Sequence, residues 1–294
     1  MKNLLKYLNL IIKKYSNYIK IAISVVILCL IFQKIDFGTS ISMIKQVNIK
    51  IILILLLISV VKFFTQAINW KFCLKITEND NVSFKQVIKT HLIGLALRFF
   101  MPGGHATFGK MFYFGENNRK STFFSVLIEK FFMSWIIVFA ASLALLSYFN
   151  KWHYLLGAIA LLIALVPILL PLFFRKLVKF EILENYYSSL SLIILIQMGF
   201  ILLTLMQYHL LLEAILGYDI PFIKLSTYIA LILTANLIPI TYSGLGLRET
   251  ASALLLPQMG ISAEVAVGTS LIIFIFNAVI PALPGIYYLI RKTN

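Results

Sequence analysis

Charge is scarce in this sequence, and negative charge scarcer still: Asp, Glu, Lys and Arg make up 13% of the chain, with 11 acidic against 26 basic side chains. An ordinary soluble domain carries about 25% charged residues. With 61% of its 294 residues hydrophobic, this chain has more apolar surface than a water-soluble core of that length can hide. Lipid must be its main solvent, and no stretch remains for a soluble domain of any size. Cysteine is nearly absent too. Cys29 lies inside an apolar run and Cys73 beside Lys71 and Lys75, so neither a disulfide framework nor a metal site is implied. Missing as well are a His-x-x-x-His pair, a Gly-x-Ser-x-Gly elbow and a Gly-Lys-Ser/Thr phosphate loop. No bond-cleaving chemistry and no cofactor are expected, and a transferase built from Arg, His and Glu alone ranks third among the readings.

What the chain does have is long apolar runs. A membrane span needs about 20 residues at 1.5 Å each, and the stretches 19–34, 50–70, 122–148, 153–174, 188–215 and 262–290 qualify. The first follows a basic stretch but ends in Phe32-Gln33-Lys34 with no small-x-small cleavage pattern, so a retained helix is expected. Two further apolar segments are broken: 84–118 by Pro102-Gly103-Gly104, and 222–260 by Pro239 and Ser243-Gly244-Leu245-Gly246. Proline removes a backbone donor and glycine loosens a helix, so each break leaves peptide groups that must be buried in protein or face a watery cavity. Both segments are therefore expected to be re-entrant or broken helical hairpins.

The net charge of +15 does not point to nucleic acid, because the basic residues cluster between apolar runs. Six crossings and two hairpins, with the amino terminus inside, place the groups at Lys2 to Lys20, Lys71 to Lys89, Arg119-Lys120, Arg175 to Lys179 and Arg291-Lys292 in the cytoplasm. Only Lys34, Lys45, Lys50, Lys151 and Lys224 fall outside, which satisfies the positive-inside bias. A single crossing at 84–118 would export the Arg175 cluster. The expectation is an all-α, multi-pass protein of the cell membrane, one domain over 1–294, with both termini cytoplasmic and a basic amphipathic segment at 1–18.

The two broken segments resemble each other. Phe84-Lys85, an apolar limb, Phe100-Met101-Pro102, a break with Gly109-Lys110 and then Ser121-Thr122 opening a crossing helix match Phe222-Ile223-Lys224, a limb, Leu237-Ile238-Pro239, a break with Gly246-Leu247-Arg248 and then Ser262-Ala263. The charge-derived topology puts them on opposite faces. That makes repeat A (about 84–148) and repeat B (about 222–290) an inverted-topology pair, the arrangement of many secondary transporters.

The sharpest polar cluster runs from Thr241 to Thr250. Thr241 or Ser243 is expected to cap the helix after Gly244 and Gly246, whose exposed N–H groups favour an anion. Arg248 adds a planar fork of donors suited to phosphate, and Glu249 suits the first turn or holds Arg248. The bland alternative is an Arg–Glu pair that merely lets both charges be buried. His91, Gly94 and Arg98 share a helical face just before the first break, where Lys110 mirrors the Arg248 side. Glu129-Lys130, inside a crossing helix, can pair with neighbours. His209 and Glu213 read as an interfacial pair, and Lys62, Gln66 and Asn69 as side chains snorkelling near the end of a span.

The run Pro239-Ile240-Thr241-Tyr242-Ser243-Gly244-Leu245-Gly246-Leu247-Arg248-Glu249-Thr250 resembles the signature of the lysylphosphatidylglycerol synthase transmembrane region, of the type Pro-x-Ser-x-Gly-Gly-Leu-Gly-x-Arg-Glu. Met259 to Glu264 resembles that family's following turn, and Met101-Pro102-Gly103-Gly104 its earlier break; the likeness spans roughly 20–290. It implies a flippase-like module that moves a phospholipid or lipid-linked intermediate between leaflets, its head group held between the two broken helices. Synthase activity is not implied, because no stretch resembles the domain that makes the aminoacyl lipid. At the first break His105, Thr107 and Lys110 stand where many relatives keep a Gly followed by an Arg. The expected partners are membrane lipid and a further copy of the chain. The second functional reading is a membrane scaffold for a separate lipid-modifying or glycosyl-transferring enzyme.

Overall fold

The computed structural model describes residues 47–77, 82–100, 103–114, 118–149, 153–174, 180–238 and 244–291. The expected first span at 19–34, the segment at 1–18 and both termini lie outside them. The described residues are almost entirely helical and contain no strand. Five helical stretches are long and apolar enough to cross a membrane, and they match the five later spans expected from sequence. They are α1 (Ile49–Ile76), α3 (Arg119–Tyr148), α4 (His153–Phe174), α5 (Phe180–Leu216) and a last stretch made of α8 (Ala263–Phe274) and α9 (Ile280–Arg291).

Both broken segments fold as their composition requires. The first is α2 (Phe84–Phe100) followed by a 3₁₀ limb, Gly103–Tyr113, that packs back along it. Glycines set the closeness of this hairpin. A Cβ on Gly94 would overlap the Lys110 side chain, and one on Gly109 would overlap Leu97. The second is α6 (Phe222–Leu233), a 3₁₀ turn at Thr234–Leu237, then α7 (Leu247–Leu255) and a 3₁₀ turn at Leu256–Met259 that stops at Gly260 with φ +80°. Ser262 opens α8 as expected, accepting from the Val265 N–H. By contrast α3 begins at Arg119 rather than at Ser121-Thr122. Ser121 instead donates to the Asn118 carbonyl, satisfying a backbone group within the first turn.

The repeats contact each other reciprocally. The first limb of hairpin A, α2, lies against α9 of repeat B, where Gly285 leaves no room for a Cβ beside the Leu92 carbonyl oxygen. The first limb of hairpin B, α6, lies against α3 of repeat A, with Tyr228 edge-on to Tyr148. Each return limb also packs on the crossing helix of its own repeat.

Proline's missing donors are met by neighbours. Pro167 and Pro171 inside α4 cannot bond the carbonyls four residues back. Trp135 of α3 donates to the Ile163 carbonyl at 2.8 Å, and Tyr186 of α5 donates to the Pro167 carbonyl at 2.7 Å. The freed acceptors thereby become the polar links that hold α4 to the bundle. Between α8 and α9 the chain makes one π turn, Ile275–Val279, immediately before Pro281. Such turns often mark functional positions.

Candidate functional site

Buried charge is concentrated in two places, one per repeat. In repeat A the ammonium of Lys110, carried on the 3₁₀ limb, donates to both carboxylate oxygens of Glu129 on α3 at 2.7 Å. The residues are 2% and 1% exposed, so neither charge reaches water directly. Trp70 of α1 covers the ammonium, 4.3 Å from its ring, and is itself held by donating to Thr90 at 3.0 Å. His91 Nδ1 lies 3.9 Å from Glu129 Oε1, and Arg98 stands within electrostatic reach of the same carboxylate. Lys110, His91 and Arg98, the residues expected on this side, thus gather around one carboxylate, and Lys110 is hydrogen-bonded to it. Lys130, next to it in sequence, faces elsewhere, over the Phe108 ring at 4.7 Å.

In repeat B, Arg248 and Glu249 are neighbours in α7. Arg248 Nη2 donates to Glu249 Oε1 at 2.7 Å, and its Nε donates to Ser270 of α8 at 2.8 Å. Ser270 in turn donates to the same carboxylate oxygen at 3.0 Å. The other oxygen, Oε2, accepts the Gly246 N–H at 2.7 Å. Gly246, with φ +90°, occupies the position before the helix, and its amide is satisfied by Glu249 from within the first turn. Thr241 and Ser243, expected to cap this helix, lie outside the described residues. A carboxylate here both completes the helix start and balances the guanidinium, whose other face lies 5.2 Å from the Phe274 ring. Gly244 has φ +77°, and a Cβ on it would crowd the Asn236 amide oxygen at 2.6 Å.

No ion pair or hydrogen bond joins the two pairs directly among the described residues. A seam of buried polar side chains runs between them instead. Ser59, Lys62, Gln66 and Asn69 follow one face of α1 and meet Gln207 and Gln197 of α5. Lys62 donates to Gln207 Oε1 at 2.8 Å, and Asn277 of the π turn donates to the same oxygen at 2.8 Å. Gln207 Nε2 donates to the Leu55 carbonyl and to Ser59. At one end Lys62 is within electrostatic reach of Arg248. At the other, Asn69 adjoins Trp70, which covers Lys110. From Lys62 to Trp70 is about 12 Å along the helix axis at 1.5 Å per residue.

The snorkelling expected of Lys62, Gln66 and Asn69 is therefore wrong. Helix α1 continues through Lys71 and Lys75 to Ile76, so these residues are not near its end, and Lys62 is only 3% exposed. The pair expected at His209 and Glu213 forms, at 3.2 Å, and both side chains also hold the chain at Ile220. Sequence reasoning gave no role to Gln207, Asn277 or Trp70. The one local sign was the recurrence of Gln197, Thr204 and Gln207 along an otherwise apolar helix.

A cavity of about 360 Å³ opens beside hairpin A, lined by Ser83, Lys85, Gln86, Lys89, Thr90 and Tyr113. Thr90 forms part of its wall and accepts the indole N–H of Trp70, the residue that covers Lys110. Two lysines and several hydroxyl and amide groups make this lining suited to an anion. Among known proteins, residues 17–285 match the family described as the lysylphosphatidylglycerol synthase TM region. No curated protein matches the chain.

Proposed function

Since the chain belongs to the lysylphosphatidylglycerol synthase transmembrane-region family, we propose that it is a translocase for a phospholipid or lipid-linked intermediate, passing the head group between the two hairpins. The observation that carries this reading is the buried seam from Lys110–Glu129 to Arg248–Glu249. Polar and charged groups at membrane depth are costly and are functional by default, and here Ser59, Lys62, Gln66 and Asn69 lie buried along one face of α1. The lysine-lined cavity beside Thr90 is the mouth of that path. Arg248, His91, Arg98 and Lys110 offer donors to the head group, while Glu129 balances Lys110 and Glu249 balances Arg248 when no lipid is present. Thr241, Ser243, Gly244 and Gly246 belong to the same site by their place in the second break. The protein acts in the cell membrane with both termini in the cytoplasm, and no bond is made or broken.

Liposomes holding the purified chain and a fluorescent phosphatidylglycerol test the reading. Addition of an impermeant quencher should bleach the label in both leaflets when protein is present, and only in the outer leaflet otherwise. Bleaching confined to the outer leaflet contradicts a translocase, and a modified lipid formed only with an added enzyme supports the scaffold reading instead. For the orientation, Asn150→Cys and Asp219→Cys, made without Cys29 and Cys73, should react with an impermeant thiol reagent in intact cells. Protection of both, with labelling of Lys179→Cys, overturns it.

A further inference from the structure

Lys110 and Arg248 each have a carboxylate at 2.7 Å. Lys62 has none. Its ammonium is bound by the neutral Gln207 and lies 4.9 Å from the Phe200 ring, and no acidic side chain pairs with it among the described residues. The charged group within its reach, Arg248, has the same sign. An ammonium has three donors, and one of them is committed to Gln207. Gln207 cannot adapt to supply more, since its amide nitrogen is held by Leu55 and Ser59 and its oxygen also accepts from Asn277. A buried cation left this way is expensive unless an anion joins it.

The missing carboxylate points to an anion. Among the buried polar atoms with no protein hydrogen-bond partner, Gln66 Oε1 and Asn69 Oδ1 only accept, while Asn69 Nδ2, Gln197 Nε2 and the hydroxyls of Tyr208 and Thr269 can donate. A cation would instead need spare carboxylates, and both buried ones are occupied by Lys110 and Arg248. We propose that Lys62 is the centre of a phosphate-binding subsite at the Arg248 end of the seam, where its two uncommitted N–H donors take phosphate oxygens. The subsite rests on the translocase reading for its place on a path. A lysine suits a transient stop, being a compact charge without the fixed fork geometry of arginine.

The phosphate can belong to a lipid head group or to a free ion, and the test separates these. Purified, delipidated protein is titrated with phosphatidylglycerol, or with diacylglycerol, which lacks phosphate, and bound lipid is counted by native mass spectrometry. Inorganic phosphate is tested by the shift it produces in melting temperature. Lys62→Met should bind phosphatidylglycerol roughly tenfold or more weakly, the loss of a charge-assisted contact, yet melt no lower than the wild type. Lys62→Arg should keep most of the binding. If Lys62→Met does not fold, Lys62→Gln against Lys62→Arg makes the same comparison with the Gln207 contact retained. A phosphate-induced shift lost in Lys62→Met, without lipid retention, assigns the subsite to the free ion. Equal binding by wild type and Lys62→Met, or retention of diacylglycerol as strong as that of phosphatidylglycerol, overturns the proposal. Scrambling distinguishes the two levels: a wild type that binds through Lys62 but moves no lipid refutes the translocase and leaves the subsite standing.

Discussion

The two repeats bury the same kind of charge pair by different means. In repeat A the carboxylate comes from the crossing helix α3, 19 residues beyond the lysine it binds, so the Lys110–Glu129 bond ties the hairpin to its neighbour. In repeat B the carboxylate is adjacent in sequence to the arginine, and it also accepts the Gly246 amide that starts the helix. There the crossing helix contributes Ser270 and the ring of Phe274. The first pair is thus a tertiary clasp, while the second is a self-contained head on a short helix. A self-contained pair can move with its limb without leaving a charge unpaired, whereas the clasp must open if hairpin A is to separate from α3. The asymmetry suggests that hairpin B is the part able to respond to substrate at little cost.

The largest effect should come from breaking the clasp. Glu129→Ala leaves Lys110 buried without an anion and should cost roughly 3–5 kcal/mol, whereas Glu129→Leu with Lys110→Met should recover most of that stability. Thermal unfolding of the purified variants measures both, and a double variant no better than the single would show that the clasp is more than a balanced pair. Glu249→Gln retains an acceptor for the Gly246 amide but loses the charge opposite Arg248, so a smaller loss of about 1.5–3 kcal/mol is expected. A cost above that of Glu129→Ala would reverse the comparison. Ser270→Ala, which cuts the side-chain hydrogen bonds from α8 to Arg248 and Glu249, should cost about 1 kcal/mol. An undetectable change would make the head of α7 fully independent of its crossing helix.

Much of the fold was legible because it follows from run length and from backbone donors. Apolar runs of span length became helices with nearly the expected limits, and both Pro-Gly breaks became folded-back segments. Arg248 and Glu249 were legible as a pair because adjacency in sequence fixed their closeness. Glu129 was legible as a carboxylate inside a crossing helix, able to pair with a neighbour, but its partner Lys110 stands in another element, and no local pattern specifies which cation will reach it. Lys62 failed for the same reason in reverse. Polar residues spaced three and four apart near the apparent end of an apolar run look interfacial until the partner is known, and that partner, Gln207, is 145 residues away. The partner of the Gly246 amide had no local sign: Thr and Ser are the usual choices before a helix, while the carboxylate that meets this amide comes from the third helical position and is also needed by Arg248.

The central claim is that the Arg248–Glu249 head serves the lipid and does not merely neutralise itself. Arg248→Lys keeps the charge, loses the planar fork, and should fold normally while transporting less. The decisive measurement is scrambling of fluorescent phosphatidylglycerol by Arg248→Leu combined with Glu249→Gln, in which no buried charge is left unpaired. The account predicts a protein that melts close to the wild type yet moves lipid no faster than empty liposomes. Full transport by that double variant would contradict it, reducing the pair to a means of burying two charges.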